Sequence, residues 1–306
     1  MIIVAGEALV DRIVQPDGSS VDRPGGGPYN TARTIARMGV PAAFLGSLST
    51  DDAGRRLRDG LRSDGVDLSF ALTTTAPTTV AVATLDGAGV ASYRFETDGT
   101  SAAQLSAAAV AAALATRPSA LHVGTLGMVL EPIATVLAAA AEALARPALL
   151  MLDPNCRAPA IDDRPSYLQR LLRVLRRVDI VKTSRDDLDF LWPGMPSTVA
   201  AHRMLATGPS VVVITDGPNP VTAMAAGWSF ELDTPRVTVI DTVGAGDAFG
   251  GALLARWIEC GYGRTELGDP SRVRESVQVA AEVAGKTCTR AGADPPHRAE
   301  VVSLAR

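Results

Sequence analysis

Lysine is nearly missing from this chain of 306 residues: Lys182 and Lys286 are the two, and arginine supplies the rest of the positive charge. The bias is one of composition and points to no function by itself. A net charge of -4, with no basic cluster interleaved with aromatics, leaves no electrostatic footprint for nucleic acid. Cysteine is scarce and odd in number. Cys156, Cys260 and Cys288 are scattered, which predicts free buried thiols rather than disulfides or a zinc site. His122, His202 and His297 form no H-E-x-x-H and no Cys/His pairing, which argues against a transition metal on protein ligands. Apolar runs such as Ala107–Leu114 are too short and alanine-rich to span a membrane, so no membrane partner is expected. Met1-Ile2-Ile3-Val4 enters a strand directly, without a basic region or a long apolar one, and a cytoplasmic protein is expected. Gly285-Lys286-Thr287 imitates the end of a P-loop, but that loop needs a glycine where Ala280 stands.

What is present suits an α/β fold. The length allows one large domain or two smaller ones, and 47% hydrophobic residues is ordinary for a globular chain with a substantial core. Ile2–Val4 reads as a strand, and Pro28 fits the first position of a helix running to Met38. Ala42–Leu48 reads as a strand and Asp51–Gly65 as an amphipathic helix with an Asp cap. Residues 70–96 then change character. The threonine-rich Thr73–Thr79, Val80–Leu85, a turn at Asp86-Gly87 and Val90–Phe95 predict an inserted β-hairpin. Beyond it strands alternate with helices: Ala120–Val123, a helix from Pro132, Ala148–Asp153, a helix near Tyr167–Arg177, Asp179–Val181, a helix near Asp186–Trp192, and Val211–Ile214. A hairpin of Val221–Ala226 and Trp228–Leu232 follows. The alternation predicts a doubly wound sheet with ligands at the C-terminal strand ends.

The most informative string is Asp241-Thr242-Val243-Gly244-Ala245-Gly246-Asp247-Ala248-Phe249-Gly250-Gly251. The β-branched run Val237-Thr238-Val239-Ile240 before it reads as a strand, and Phe249, Leu253, Leu254, Trp257 and Ile258 after it recur at helical spacing. Gly244 and Gly246 permit a tight turn and a close ligand. The helix N-terminus beyond them offers unpaired N–H groups and partial positive charge, a combination that attracts phosphate. Read alone, Asp247 is a helix cap. Beside a phosphate it would repel its ligand unless it handles a proton.

The string resembles the D-T-x-G-A-G-D signature of the ribokinase-like (PfkB) carbohydrate kinases, with every defining residue present. The resemblance covers nearly the whole chain. Gly25 and Gly26, followed by Asn30, match the family's N-terminal signature. Gly6-Glu7-Ala8-Leu9-Val10-Asp11, His122-Val123-Gly124-Thr125-Leu126 and the D-x-N-x-R run Asp153-Pro154-Asn155-Cys156-Arg157 look like its fructokinase-type branch. The fold so implied is ribokinase-like: a large α/β domain over 1–11, 25–70 and 99–306, with a small β-lid of 12–24 and 71–98 over the sugar.

The resemblance also implies roles. Asp247 becomes the base that takes a proton from a primary hydroxyl, and the N–H groups around Gly244, Ala245 and Gly246 stabilise charge on the transferred phosphoryl. The helix dipole is expected to hold Asp247 ionised. Arg157 contacts phosphate or substrate oxygens. Asp11, Gly25, Gly26, Gly27, Asn30, Asp153 and Asn155 meet the sugar, with Arg94 and Phe95 facing it from the lid. Read alone, Asp11 is a surface turn residue, Asn30 a helix cap, Asp153 and Asn155 an Asx-turn, and Arg94 a solvated strand residue. Lys182, Ser184, Thr215, Gly217, Thr242, Gly244, Gly246 and Cys288 are the implied nucleotide contacts. Magnesium, arriving with ATP, would lie through water at Asp187, in a segment where Ser184 and Asp187 replace the Asn and Glu of the family's N-x-x-E; an Asp-rich first helical turn is the alternative. Asp241 and Val243 correspond to a site for a monovalent cation such as potassium. Two copies are expected to pair through the lid. Fructose is the first acceptor expected, ahead of 2-keto-3-deoxygluconate, ribose or a nucleoside, and a non-catalytic sugar-binding regulator is the reading from another class.

Overall fold

The computed structural model describes residues 1–85 and 91–304; the expected turn at Asp86-Gly87 and the start of Val90–Phe95 lie outside them. Eight strands form the central sheet, in the order Trp228–Leu232, Val221–Ala225, Val211–Thr215, Ile180–Ser184, Leu149–Asp153, Ala120–Gly124, Ile2–Ala5 and Ala42–Leu45. The six from Val211–Thr215 to Ala42–Leu45 run parallel, and the final hairpin adds the two antiparallel ones. Burial on both faces explains why these strands read as continuous apolar runs. Ile2 and Val4 join the core on one side, under helices Gly27–Arg37, Ala245–Glu259 and Pro270–Cys288. Ile3 and Ala5 join the other side, under helices Ile133–Ala143, Arg164–Leu175 and Arg185–Leu191. This is the doubly wound α/β arrangement. No helix among the described residues is long and apolar enough to cross a membrane.

Two expected strands come out differently. Ala42–Leu48 breaks at Gly46, where a Cβ would stand 2.2 Å from the Gly6 carbonyl oxygen; Ser47–Ser49 leaves the central sheet and pairs with Leu72–Thr74. Val237–Ile240 is no strand at all. Its β-branched residues find no edge to pair with. Val239 and Ile240 are exposed, and the Ile240 and Asp241 N–H groups both donate to the Cys288 carbonyl at the end of a helix.

A separate four-stranded sheet, ordered Ser20–Gly25, Leu9–Val14, Val80–Leu85 and Ala91–Glu96, stands beside the C-terminal end of the main sheet. Its register sets Asp11 opposite Arg23 and Ala81, and Ala81 opposite Phe95. Opposed residues share a face and consecutive ones do not. Asp11, Arg23, Ala81 and Phe95 therefore lie on one face, and Arg12, Asp22, Val82 and Arg94 on the other. The Thr79 and Thr100 hydroxyls, buried and 2.6 Å apart, join the chain entering Val80–Leu85 to the chain just beyond Ala91–Glu96.

Candidate active site

Helix Ala245–Glu259 begins at Gly244, which is left-handed with φ 76° and has no side chain to cap the first turn. A Cβ there would also stand 2.4 Å from the Ala293 Cβ, so conformation and packing both require glycine. Among the described residues no acceptor meets the N–H groups of Gly246 and Asp247. They are donors open to an anion.

The Asp247 carboxylate is buried beside them. Asn30, on the first turn of helix Gly27–Arg37, donates its Nδ2 to Asp247 Oδ2 at 2.9 Å. Asn155, just past strand Leu149–Asp153, places its Nδ2 3.4 Å from Asp247 Oδ1 and 3.4 Å from Thr125 Oγ1. Asn155 and Thr125 are both left-handed, with φ 38° and 49°. Two non-glycine residues in that region, side by side against a carboxylate, are the kind of local strain that collects at functional sites. A Cβ on Gly27 would stand 3.3 Å from Asp247 Oδ1, and one on Gly25 2.0 Å from Asp11 Oδ2. Gly26 has φ 106° and precedes the helix. The structure thus brings Asp11, Gly25, Gly26, Gly27, Asn30, Asn155 and Asp247 around one space.

Burial raises the Asp247 pKa, opposed by the Asn30 hydrogen bond and by the charges of Lys182 and Arg157. Loss of water and these neighbouring groups thus act on the carboxyl in opposite directions. Asp11 rises to about 6, through burial and then the Asp247 charge, with Arg157 opposing. Arg157 itself is exposed.

Asp153 and Lys182, expected on the sugar and nucleotide sides respectively, form a single buried ion pair with Nζ 2.9 Å from Oδ2. Burial works against the lysine's charge, but Asp153 and Asp187 hold its pKa above the usual value. Asp153 rises to about 6, chiefly through burial, and its Oδ1 has no partner. A Cβ on Gly246 would stand 2.9 Å from the Lys182 Nζ, so this ammonium lies directly under the anion-accepting turn. Asp187 closes a capping box with Ser184, its Oδ2 accepting both the Ser184 N–H and hydroxyl, and its Oδ1 accepts the Cys156 N–H at 2.6 Å. Thr215 pairs with Ser184 across neighbouring strand ends, and Gly217 follows it with φ 54°. Thr242 accepts the Ala245 N–H through its carbonyl, and Cys288 lies where helix Pro270–Cys288 ends.

One placement departs from the sequence reading. Arg94 and Phe95 do not face one site together. Phe95 packs with Leu9, Ala81 and Leu126, while Arg94 is exposed on the reverse face and bonded to Glu96. Strand alternation makes this unavoidable. At Asp241 the side chain is engaged, with Oδ1 accepting the Val243 N–H at 3.0 Å and Oδ2 3.1 Å from Arg23 Nη1.

Residues without an assigned role also contribute. Glu7 is buried and accepts the N–H groups of Gly27 and Gly127 at 3.2 and 3.0 Å, joining the two loops that flank Asp247. Burial lifts it to about 7, and the Asp247 charge adds to the rise. Its sequence signals, like those of Thr125, are a position just beyond a buried strand and a place in a phrase that resembles the fructokinase-type branch.

Against known proteins, the model of the pfkB family carbohydrate kinases matches residues 1–299, and the chain belongs to that family. It is a sugar kinase of ribokinase-like fold. A fructokinase of Rhizobium leguminosarum bv. trifolii is 35% identical, with 83% of this chain and 79% of that protein covered. Fructokinase-1 of Oryza sativa subsp. japonica is 31% identical, covering 99% of this chain and 97% of its own. Among solved structures, fructokinase with bound ATP from Xylella fastidiosa superposes with a TM-score of 0.90 at 28% identity, over 99% of this chain and 97% of that one.

Proposed function

We propose that this kinase transfers the terminal phosphoryl group of ATP to a primary hydroxyl of fructose in the cytoplasm, where ATP is supplied. The observation that carries the reading is the Asp247 carboxylate, held by the neutral amides of Asn30 and Asn155 beside two unpaired N–H groups. A hydroxyl placed against Asp247 loses its proton there as its oxygen attacks phosphorus. The N–H groups of Gly246 and Asp247 and the Lys182 ammonium face the charge of the phosphoryl oxygens. A carboxyl raised by burial is a better proton acceptor than an exposed one. Arg157, exposed at the rim, neutralises phosphate as ATP and sugar meet.

Asp11, Asn30, Asn155 and the Gly25–Gly27 backbone bind the sugar in this reading, with Phe95 on the same side. Thr215, Gly217, Thr242 and Cys288 border the nucleotide. Magnesium bound with ATP would supply charge neutralisation for the phosphates. Asp187 fits such an ion only through water, since both its oxygens already accept protein donors, and the unpartnered Asp153 Oδ1 is the acceptor left for another such water. The four-stranded sheet acts as the lid that excludes water. Its exposed Val21 and Tyr93 support pairing of two copies through it.

Fructose rests on the relatives named fructokinase. The test is ADP release across fructose, ribose, 2-keto-3-deoxygluconate and nucleosides. Fructose should give the highest kcat/KM, and a higher value for a sugar acid or nucleoside overturns the substrate while keeping the kinase. Silence with every acceptor favours the non-catalytic sugar-binding regulator.

A further inference from the structure

Asn30 and Asn155 reach Asp247 from two different segments, so the carboxylate is held well only while those segments stay in register. Glu7 touches both. Its Oε1 accepts the N–H of Gly27 at 3.2 Å, at the start of the helix that carries Asn30 in its first turn. Its Oε2 accepts the N–H of Gly127 at 3.0 Å, in the turn Thr125–Met128, whose first residue meets Asn155 through Oγ1. The two segments also lie against each other, since a Cβ on Gly27 would stand 2.4 Å from Thr125 Oγ1.

A carboxylate is the side chain this place requires. Each oxygen faces a donor, and a glutamine could satisfy one N–H only by turning its own NH2 group against the other. The place is also a costly one for charge. Glu7 is 1% exposed. Burial opposes the anion, backbone N–H groups favour it, and the Asp247 charge disfavours it further. An apolar side chain would fill the space at lower cost, and two well-placed acceptors are what the glutamate adds.

We propose that Glu7 is a positioning residue for phosphoryl transfer: its carboxylate sets helix Gly27–Arg37 and turn Thr125–Met128 in the register that lets both amides meet Asp247. The inference rests on the reading of Asp247 as the proton acceptor and adds what orients it.

The experiment measures ADP formation with fructose for the wild type, Glu7→Gln, Asp247→Asn and the double variant. Glu7→Gln should lose roughly tenfold in kcat, the scale of one hydrogen bond to a charged group, with the KM for ATP unchanged. Because Glu7 acts through Asp247, the same change should cost little more in the Asp247→Asn background. A wild-type kcat in Glu7→Gln overturns the inference, and so does a loss repeated in full without the Asp247 carboxylate.

A second readout needs no turnover. It uses nuclear magnetic resonance on protein labelled at the nitrogens of glycine and asparagine. The Gly27 and Gly127 N–H signals and the side-chain amides of Asn30 and Asn155 should shift together as pH crosses about 7, where Glu7 titrates. Asn219, bonded to Asp216 away from the site, should stay still there. Asp247 is the charged group that bears on Glu7 most, so Asp247→Asn should lower the common midpoint without splitting it. Separate midpoints for the two glycines, or asparagine amides that ignore the shared one, overturn the inference even if Glu7→Gln does not fold. Should no acceptor be phosphorylated, the kinase reading fails, and the titration still decides the role of Glu7.

Discussion

Two aspartates lie buried at opposite ends of the central sheet, and they do opposite things. Asp179 precedes strand Ile180–Ser184 at the N-terminal edge. Its Oδ2 accepts the Leu150 N–H and an Arg177 N–H, both at 2.9 Å, and Arg146 and Arg264 approach Oδ1 to 3.5 Å. Asp247, at the C-terminal edge, meets amides instead of guanidiniums. Three arginines surround the first and knit together the ends of three segments. Neutral donors steady the second but leave it a pKa raised by burial and free to take a proton. Charge compensation, more than burial, separates a structural carboxylate from a basic one.

The contrast can be broken at either end. Asp179→Ala leaves the buried Leu150 N–H without its acceptor and the half-buried Arg177 without its carboxylate, and should cost about 1–3 kcal/mol of stability, with kcat unchanged at temperatures where the variant stays folded. A melting temperature equal to wild type would show that the arginines are satisfied by solvent. Asp247→Asn should do the reverse, lowering kcat by roughly 10² or more while melting near the wild-type temperature. Near-normal turnover in that variant would return Asp247 to a helix cap.

A finer cut is Asn155→Gly. Glycine keeps the left-handed backbone and deletes only the amide, so kcat/KM should fall roughly tenfold, the scale of one hydrogen bond to a charged group, without loss of stability. An unchanged kcat/KM would mean that Asp247 is steadied by Asn30 alone.

Glu7 sharpens the comparison through pH. Its pKa is raised from 4.5 to about 7 in the folded chain, so it binds its proton more tightly there than when unfolded. Its contribution to stability is present below 4.5 and is lost as pH rises through about 7. Melting temperatures across that window should fall less steeply in Glu7→Gln, and an identical slope would remove Glu7 as the source. The smallest effect belongs to the exposed Arg12–Asp22 pair on the reverse face of the four-stranded sheet. Arg12→Ala should change stability by no more than about 0.5 kcal/mol in chemical denaturation and leave kcat alone.

How much of this was legible in the chain depends on how local each signal is. The turn at Gly244–Asp247 is contiguous, so its glycines, its helix and its unpaired N–H groups could be read together. Asn30 and Asn155 were legible as residues beside loops or helix starts, but their convergence on one carboxylate came from the family resemblance. The Asp179 cluster was not legible: its arginines are three of many in an arginine-rich chain, and no periodicity singles them out. Nor was Arg23 opposite Asp241, since nothing near either residue reports the other. Val237–Ile240 shows why composition misleads. β-branched residues suit a strand, but a strand also needs an edge to bond to, and that depends on the path of the whole chain.

The alternation within the four-stranded sheet has a practical side for anyone wishing to change what this kinase phosphorylates. Because Asp11 shares a face with Arg23, Ala81 and Phe95, while Arg12, Val82 and Arg94 lie behind it, the sheet divides by odd and even numbering. A combinatorial library confined to Ala81 and Phe95 would reshape the face that carries Asp11 and leave the reverse face intact. Substitutions at Arg12 and Arg94, which reach solvent where Val82 is buried, would tune solubility or assembly in the same protein, and the two sets would combine with little interference.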